Sequence, residues 1–165
     1  MRKYSLRLSI NLVLIRQATP DDVPAIRKLE QDAATAAHWS RKEYDVLFAP
    51  ESPTRITLVA VGVTDSDCID GFIIVRCMAE EWEIENVVVA PGNQRRGVAT
   101  ALVGDLLRKA VQSGAAAVLL EVRESNIAAR QLYEKHGFSE VGRRTAYYHD
   151  PLEDGLLLRI SIAVP

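Results

Sequence analysis

The chain has 165 residues, 48% of them apolar and 25% charged, the size and composition of one globular domain with a substantial core. A net charge of −2 argues against a general nucleic-acid binder, because phosphate contacts need a surplus of Lys and Arg, although arginines do cluster at Arg95/Arg96 and Arg143/Arg144. Cys68 and Cys77 lack histidines at ligand spacing, so no metal site is expected; they read as reduced, partly buried thiols of a cytosolic protein rather than as a disulfide.

Met1-Arg2-Lys3 precedes the apolar LRLSINLVLI, a pattern with the charge of a secretory leader. Arg7, Ser9 and Asn11 interrupt it, no small-residue cleavage site follows, and no run approaches the roughly 18 apolar residues of a membrane span. Residues 1–11 therefore read as an N-terminal extension or an added half-strand. The protein is expected to be soluble and cytoplasmic, a monomer or weak dimer with no membrane or nucleic-acid partner. Residues 12–165 show no repeats, low-complexity runs or linkers and read as a single mixed α/β domain.

Leu12 to Gln17 predicts a first strand. Thr19-Pro20-Asp21-Asp22 has the signature of a helix start, with a capping hydroxyl, proline at the first helical position and acids in the first turn. Val23, Ile26, Leu29 and Ala33 form the inward face of that helix. Ser40-Arg41-Lys42-Glu43 is a capping box for a short second helix carrying Tyr44 and Leu47 inward, ended by Pro50 and Pro53. Ile56–Val63 and Ile69–Met78 predict antiparallel strands joined by a turn at Thr64–Asp67.

The stretch from Glu83 to Val111 is the centre of the chain. Val87, Val88 and Val89 belong to a strand buried on both faces, and Pro91-Gly92 breaks it. Val98, Leu102, Leu106 and Ala110, with Val103, Leu107 and Val111 alongside, then give a helix with an apolar stripe. The first turn of that helix has backbone N–H groups without intrahelical partners, its dipole favours negative charge, and Gly97 admits a ligand close to the backbone. The same spacing also describes an ordinary strand–turn–helix with solvated arginines. It is neither a P-loop nor a dinucleotide fingerprint.

Gly114 marks the helix end. Ala115–Val122 predicts a buried strand beside the central one, reached by a right-handed crossover. Ser125 or Asn126 caps a last helix that stops at Gly137, with Phe138 as the apolar contact beyond it. Phe138–Tyr147 and Leu156–Val164 predict two antiparallel strands, with Asp150, Pro151, Asp154 and Gly155 between them.

V-x-P-x-x-Q-R-R-G-V-A resembles the acetyl-CoA signature of the GNAT N-acetyltransferase superfamily, Q/R-x-x-G-x-G/A, with Gln94, Gly97 and Ala99 in its fixed positions. Leu120-Glu121-Val122-Arg123-Glu124-Ser125-Asn126, Ala128-Ala129 and Leu132-Tyr133-Glu134-Lys135-His136-Gly137-Phe138 are similar to the RimI type, which acetylates the N-terminal amine of a ribosomal protein. His38-Trp39-Ser40, Arg143-Arg144 and Tyr147-Tyr148 add to that likeness, which covers nearly the whole chain from Val13. The resemblance implies the GNAT fold and acetyl-CoA as cosubstrate. It implies that the central strand and the one at Ala115–Val122 splay apart, with the pantetheine arm pairing with the backbone of Val87, Val88 and Val89. It further implies that Gln94, Arg95, Arg96, Gly97, Val98, Ala99 and Thr100 form the phosphate end and that Asn126 contacts the cosubstrate. The acceptor it implies is a protein N-terminus, such as that of a ribosomal protein.

Acetyl transfer to an amine needs a base for the ammonium and an acid for the leaving thiolate. Glu121, at the end of an apolar strand, and Tyr133, on the following helix, match the base and acid of the RimI type. Without the motif, Tyr133 reads as a core aromatic and Glu121 as a solvated strand end. Glu83 is a rival base, matching that of the histone-acetylating branch, and Glu85 lies on the same face. His136 reads as a helix C-terminal residue and His149 as a loop residue, neither with a nucleophile partner. Alternation along a strand allows only one of Tyr147 and Tyr148 into an acceptor groove. A small-molecule or lysine acetyltransferase, or a module that binds CoA without turnover, are the alternatives.

Overall fold

The computed structural model describes residues 13–33, 36–49, 54–62 and 65–162. Among them lie strands β1 (Val13–Gln17), β2 (Arg55–Gly62), β3 (Asp65–Met78), β4 (Glu81–Val89), β5 (Ala117–Arg123), β6 (Ser139–His149) and β7 (Leu152–Ser161), and helices α1 (Val23–Gln31), α2 (Arg41–Asp45), α3 (Val98–Gln112) and α4 (Ile127–Lys135). The strands form one sheet in the order β1-β2-β3-β4-β5-β7-β6. Neighbours are antiparallel except β4 and β5, which run parallel with α3 as their crossover, as a parallel pair requires. The expected mixed α/β fold is the fold observed.

Helices cover both faces. Val98, Leu102, Leu106 and Ala110 of α3 are buried with Leu58, Ile73, Ile84, Val118 and Leu120 on one face. Ile26, Tyr44 and Leu47 are buried with Val59, Val61, Phe72 and Val88 on the other. Burial from two sides explains why β2 and β3 read as unbroken apolar runs. Val111 departs from the expected stripe: it is 50% exposed, in the last turn of α3.

The caps form where the sequence puts them. Ser40 N–H donates to the Glu43 carboxylate at 2.6 Å, and the Glu43 N–H donates back to the Ser40 hydroxyl at 3.4 Å. Pro20–Asp22 is a 3-10 turn leading into α1. The Asp22 carboxylate accepts from Thr19 N–H and from both terminal nitrogens of Arg16, each at 2.8 Å.

Two boundaries are corrected. The β6–β7 connection is only Asp150–Pro151, and Asp154 and Gly155 belong to β7. Asp154 is tolerated inside a strand because its carboxylate accepts the Ala146 N–H at 2.9 Å, where β6 bulges away from the ladder. Asp65–Asp67, expected in a turn, begin β3. The readings of residues 1–11, Leu12, Pro50, Pro53, Val63, Thr64 and Val164 fall outside the described residues.

Candidate active site

The parallel pairing of β4 with β5 runs only from Glu81↔Ala117 to Ile84↔Leu120. Beyond it β4 continues to Val89 and β5 to Arg123 without facing each other in a ladder. A bulge stands where they part: Ile74 faces Asn86 and Val75 faces Ile84, so Glu85 is an extra residue in β4. One inserted residue reverses the alternation of faces. Trp82 and Ile84 accordingly pack towards α3, whereas Val88 is buried in the core beneath α1 and α2. A cleft of about 1100 Å³ opens in the gap.

One end of the cleft is the start of α3. Gly97 is the residue before the helix, at φ +85°, and Ala101 N–H donating to the Gly97 carbonyl (2.9 Å) is the first helical bond. The amides of Val98, Ala99 and Thr100 therefore precede the helical ladder, as an anion site requires. A Cβ built on Gly97 meets nothing within 4 Å, leaving an open cradle beside the backbone of Val87–Val89, which has no strand partner on that side. That cradle and that edge fit a long ligand with a phosphate end and an amide-bearing arm. Arg95, at φ +59°, turns into the cleft together with Gln94, whose amide donates to the Val89 carbonyl at 3.4 Å. Arg96 does not line the cleft; it leans back on the Asn93 side chain at 3.4 Å.

Asn126, not Ser125, caps α4, its Oδ1 accepting the Ala129 N–H at 3.1 Å, and it lines the cleft. His136 joins the helices, with Nδ1 2.8 Å from the Leu132 carbonyl oxygen and Nε2 3.3 Å from that of Thr100. Gly71 of β3 is a close approach missed in the sequence. A Cβ there would lie 2.7 Å from the Val88 carbonyl oxygen and 3.1 Å from Val98, so only glycine lets β3, β4 and α3 meet.

The other end is lined by Glu83, Glu85, Glu121, Tyr147 and Tyr148. Glu85 accepts from Arg55 through Nε (2.6 Å) and Nη2 (3.0 Å), and Arg76 bridges Glu85 (3.7 Å) and Glu83, to which it donates a short hydrogen bond. Glu83 and Glu85 are thus held in one ladder with two arginines. Glu121 pairs with Arg144 Nε at 3.0 Å, but the Arg144 side chain is 58% exposed, so water and salt weaken the pair.

Both tyrosines line the cleft, contrary to the alternation expected. Arg144 faces Gly155 and Tyr148 faces Glu153, so Thr145, Ala146 and Tyr147 oppose the single residue Asp154. Ala146 takes φ +51°, and the Tyr147 ring lies against Gly155, where a Cβ would sit 3.0 Å from it. The two rings meet edge to face at 5.0 Å, and Arg123 stacks on Tyr148 at 4.1 Å. A hydrogen bond to Glu121 raises the Tyr147 phenol above its ordinary value, and burial raises that of Tyr148.

Tyr133 combines the two readings given to it. Its ring is 6% exposed and sits in the core, yet it lines the cleft. The end of α4 fixes it: Gly137 at φ +91° donates to the Glu134 carbonyl (3.0 Å), Phe138 N–H donates to that of Tyr133 (3.0 Å), and the Phe138 ring packs on Tyr133 at 5.5 Å. This is the glycine-ended termination with its apolar clasp. Burial alone holds the phenol far above the ordinary tyrosine value.

Among the described residues no cluster of His, Cys, Asp and Glu can hold a metal ion, and no helix is long and apolar enough to cross a membrane. The sequence profile described as the acetyltransferase (GNAT) family matches residues 23–138. The chain is 34% identical over 145 residues to the [ribosomal protein bS18]-alanine N-acetyltransferase of Escherichia coli (strain K12), covering 87% of this chain and 93% of that one. It is 39% identical over 138 residues to the enzyme of the same name from Haemophilus influenzae, covering 84% and 89%. The crystal structure of the ribosomal-protein-S18-alanine N-acetyltransferase from Escherichia coli superimposes with a TM-score of 0.80 at 28% identity, over 93% of this chain and 96% of that one.

Proposed function

The chain belongs to the acetyltransferase (GNAT) family and is an N-acetyltransferase, and from that premise we propose that it transfers the acetyl group of acetyl-CoA directly to the α-amine at a protein N-terminus. The observation that carries the reading is the split between β4 and β5, with an open helix start at one end and carboxylates and phenols at the other. Acetyl-CoA supplies the activated acyl group as a thioester. The α3 amides and Gly97 fit its phosphates, the unpaired β4 edge at Val87–Val89 fits its amide-bearing arm, and Arg95 and Asn126 line the way. Relatives that act on the alanine of ribosomal protein bS18 support a protein acceptor with a small first residue.

Glu121 takes the proton of the incoming ammonium, freeing the nitrogen lone pair for attack. It is preferred to Glu83 because its arginine is exposed and readily displaced, whereas Glu83 is held in the ladder with Arg76, Glu85 and Arg55. Tyr133, which lines the same cleft, is assigned to the departing sulfur. A phenol raised by burial keeps its proton, so its part is to donate a hydrogen bond as charge gathers on sulfur, with full transfer as the limit. The reading includes residues 12–165 as one catalytic domain behind an N-terminal extension.

Thiol release from acetyl-CoA, measured against N-terminal peptides and free amines, tests the assignment. Peptides with a free N-terminus and small first residue should outperform the same peptides blocked there but carrying lysine. Equal or reversed rates would move the acceptor to lysine or a small amine.

A further inference from the structure

A buried carboxylate plays no part in the chemistry just described. Glu30, on the inner side of α1, is 3% exposed and has no cationic partner within salt-bridge distance among the described residues. Its oxygens are held by neutral donors: Asn86 Nδ2 donates to one at 2.6 Å, and the Trp39 N–H donates to the other at 3.1 Å. The Tyr44 hydroxyl is buried against the same carboxylate without a hydrogen bond of good geometry. Asn86 then accepts the Ala37 N–H at 3.5 Å. Asn86 directly follows the bulge at Glu85, where the cleft opens.

Ala37 and Trp39 flank His38, which adopts φ +53° and lines the cleft. A left-handed backbone at a residue other than glycine costs on the order of 1–2 kcal/mol and persists only where its surroundings impose it. The amides on either side of His38 are the ones tied down to Asn86 and Glu30. We propose that Glu30 is a positioning residue for the acceptor: through Trp39 and Asn86 it imposes the shape of the segment around His38, where Ala36, Ala37 and His38 line the cleft and Arg55, which holds Glu85 at the carboxylate end, stacks on Trp39 at 5.2 Å. The inference rests on assigning that end of the cleft to the acceptor, though not on which amine is used. Its consequence is specific, because a wall that shapes acceptor binding alters the acceptor KM and leaves both cosubstrate affinity and the rate at saturation nearly untouched.

The test uses whichever amine the wild-type enzyme acetylates fastest, so a failed peptide assignment shows in the wild-type panel and leaves this test standing. Glu30→Gln puts an amide where two donors need acceptors, and should raise the acceptor KM by about tenfold or more, with kcat and the Kd for CoA within about twofold. The swap Glu30→Gln/Asn86→Asp restores every bond with donor and acceptor exchanged. The amide now on α1 donates to the carboxylate now on β4 and accepts from the Trp39 N–H, and that carboxylate still accepts from Ala37. The swap should recover most of the KM. A swap that recovers the melting temperature but not the KM overturns the proposal, as does an unchanged KM in the single variant. Should the single variant not fold, amide hydrogen exchange in the wild type decides. Protection of the Trp39 amide well above that of an open loop, comparable to the capping-box amide of Ser40, upholds the anchor, and exchange as fast as an open loop overturns it.

Discussion

Two glutamates and one tyrosine carry the sharpest tests. On the proposed roles, Glu121→Gln should lower kcat by about 10²–10⁴-fold with the Kd for CoA unchanged, since only the proton acceptor is lost. Glu83→Gln should cost far less, because that carboxylate is committed to Arg76; stopped-flow or steady-state rates at saturating acceptor reverse the assignment if Glu83→Gln proves the severe change. Tyr133→Phe keeps the ring against Phe138 and removes one donor, so kcat should drop about 10²-fold. With the phenol raised by burial, the hydroxyl stays protonated throughout the neutral and mildly alkaline range, and that drop should be uniform from pH 7 to about pH 9.5. An alkaline loss of wild-type activity that Tyr133→Phe abolishes would contradict it. That Glu121 and Tyr133 share one cleft was legible only through the resemblance of their motif, since by pattern alone they read as a solvated strand end and a core aromatic. The arginines that distinguish the glutamates were not, since Arg55, Arg76 and Arg144 come from strands distant in the chain.

Caps and helix starts are local, and the sequence carries them well: the Ser40–Glu43 box, the Asn126 cap and the Gly137 stop all form. Asp22 joins the turn before α1 to Arg16 of β1, and the arginine's hydrogen bonds hold its carboxyl below the ordinary value of 3.8. A depressed carboxyl stabilises the fold above its unfolded value, and the gain is lost as pH falls through the folded one. Asp22→Asn should therefore cost about 1–2 kcal/mol at pH 7, and in denaturant titrations its deficit should shrink only below pH 3.8. Gly97→Ala joins a left-handed backbone to a side chain, so the melting temperature should fall modestly while CoA affinity drops at least about tenfold; calorimetry with undiminished affinity would remove the phosphates from that helix start. Bulges are what the alternation rule hides. The extra residue Glu85 turns Val88 to the opposite face, and the three residues opposite Asp154 bring both tyrosines inward. Nothing in the local pattern announces either, because a bulge is decided jointly with the partner strand.

Across the molecule, strand–helix–strand spacing made the parallel β4–β5 pair legible, while the placing of β7 between β5 and β6 depends on long-range pairing that no local signal encodes. The β6–β7 hairpin is bound to the segment before α4 by side chains: Arg143 reaches Glu124 (2.8 Å) and Asp154 (3.2 Å), and Glu153 takes Arg123 (2.8 Å) and the Ser125 N–H (3.0 Å). The hairpin and the end of β5 are thus tied into one wall of the cleft. Since the cleft is formed only in the folded chain, CoA at about 100 times its Kd should add about 2.7 kcal/mol to stability, read as a rise in melting temperature.

The parting of β4 from β5 also creates a hazard. From Glu85 to Val89 the strand presents its hydrogen-bonding edge to a gap, not to a neighbour, and an unpaired edge is a template for any extended chain. Before the cosubstrate arrives, a second molecule's loose segment competes for the same row of amides and carbonyls. Acetyl-CoA seated along β4 as proposed would cover that edge, so the enzyme stored without it should gain light scattering on warming sooner than the same enzyme stored with it. The reagent that the cell uses to drive the chemistry would also keep the idle catalyst from clumping.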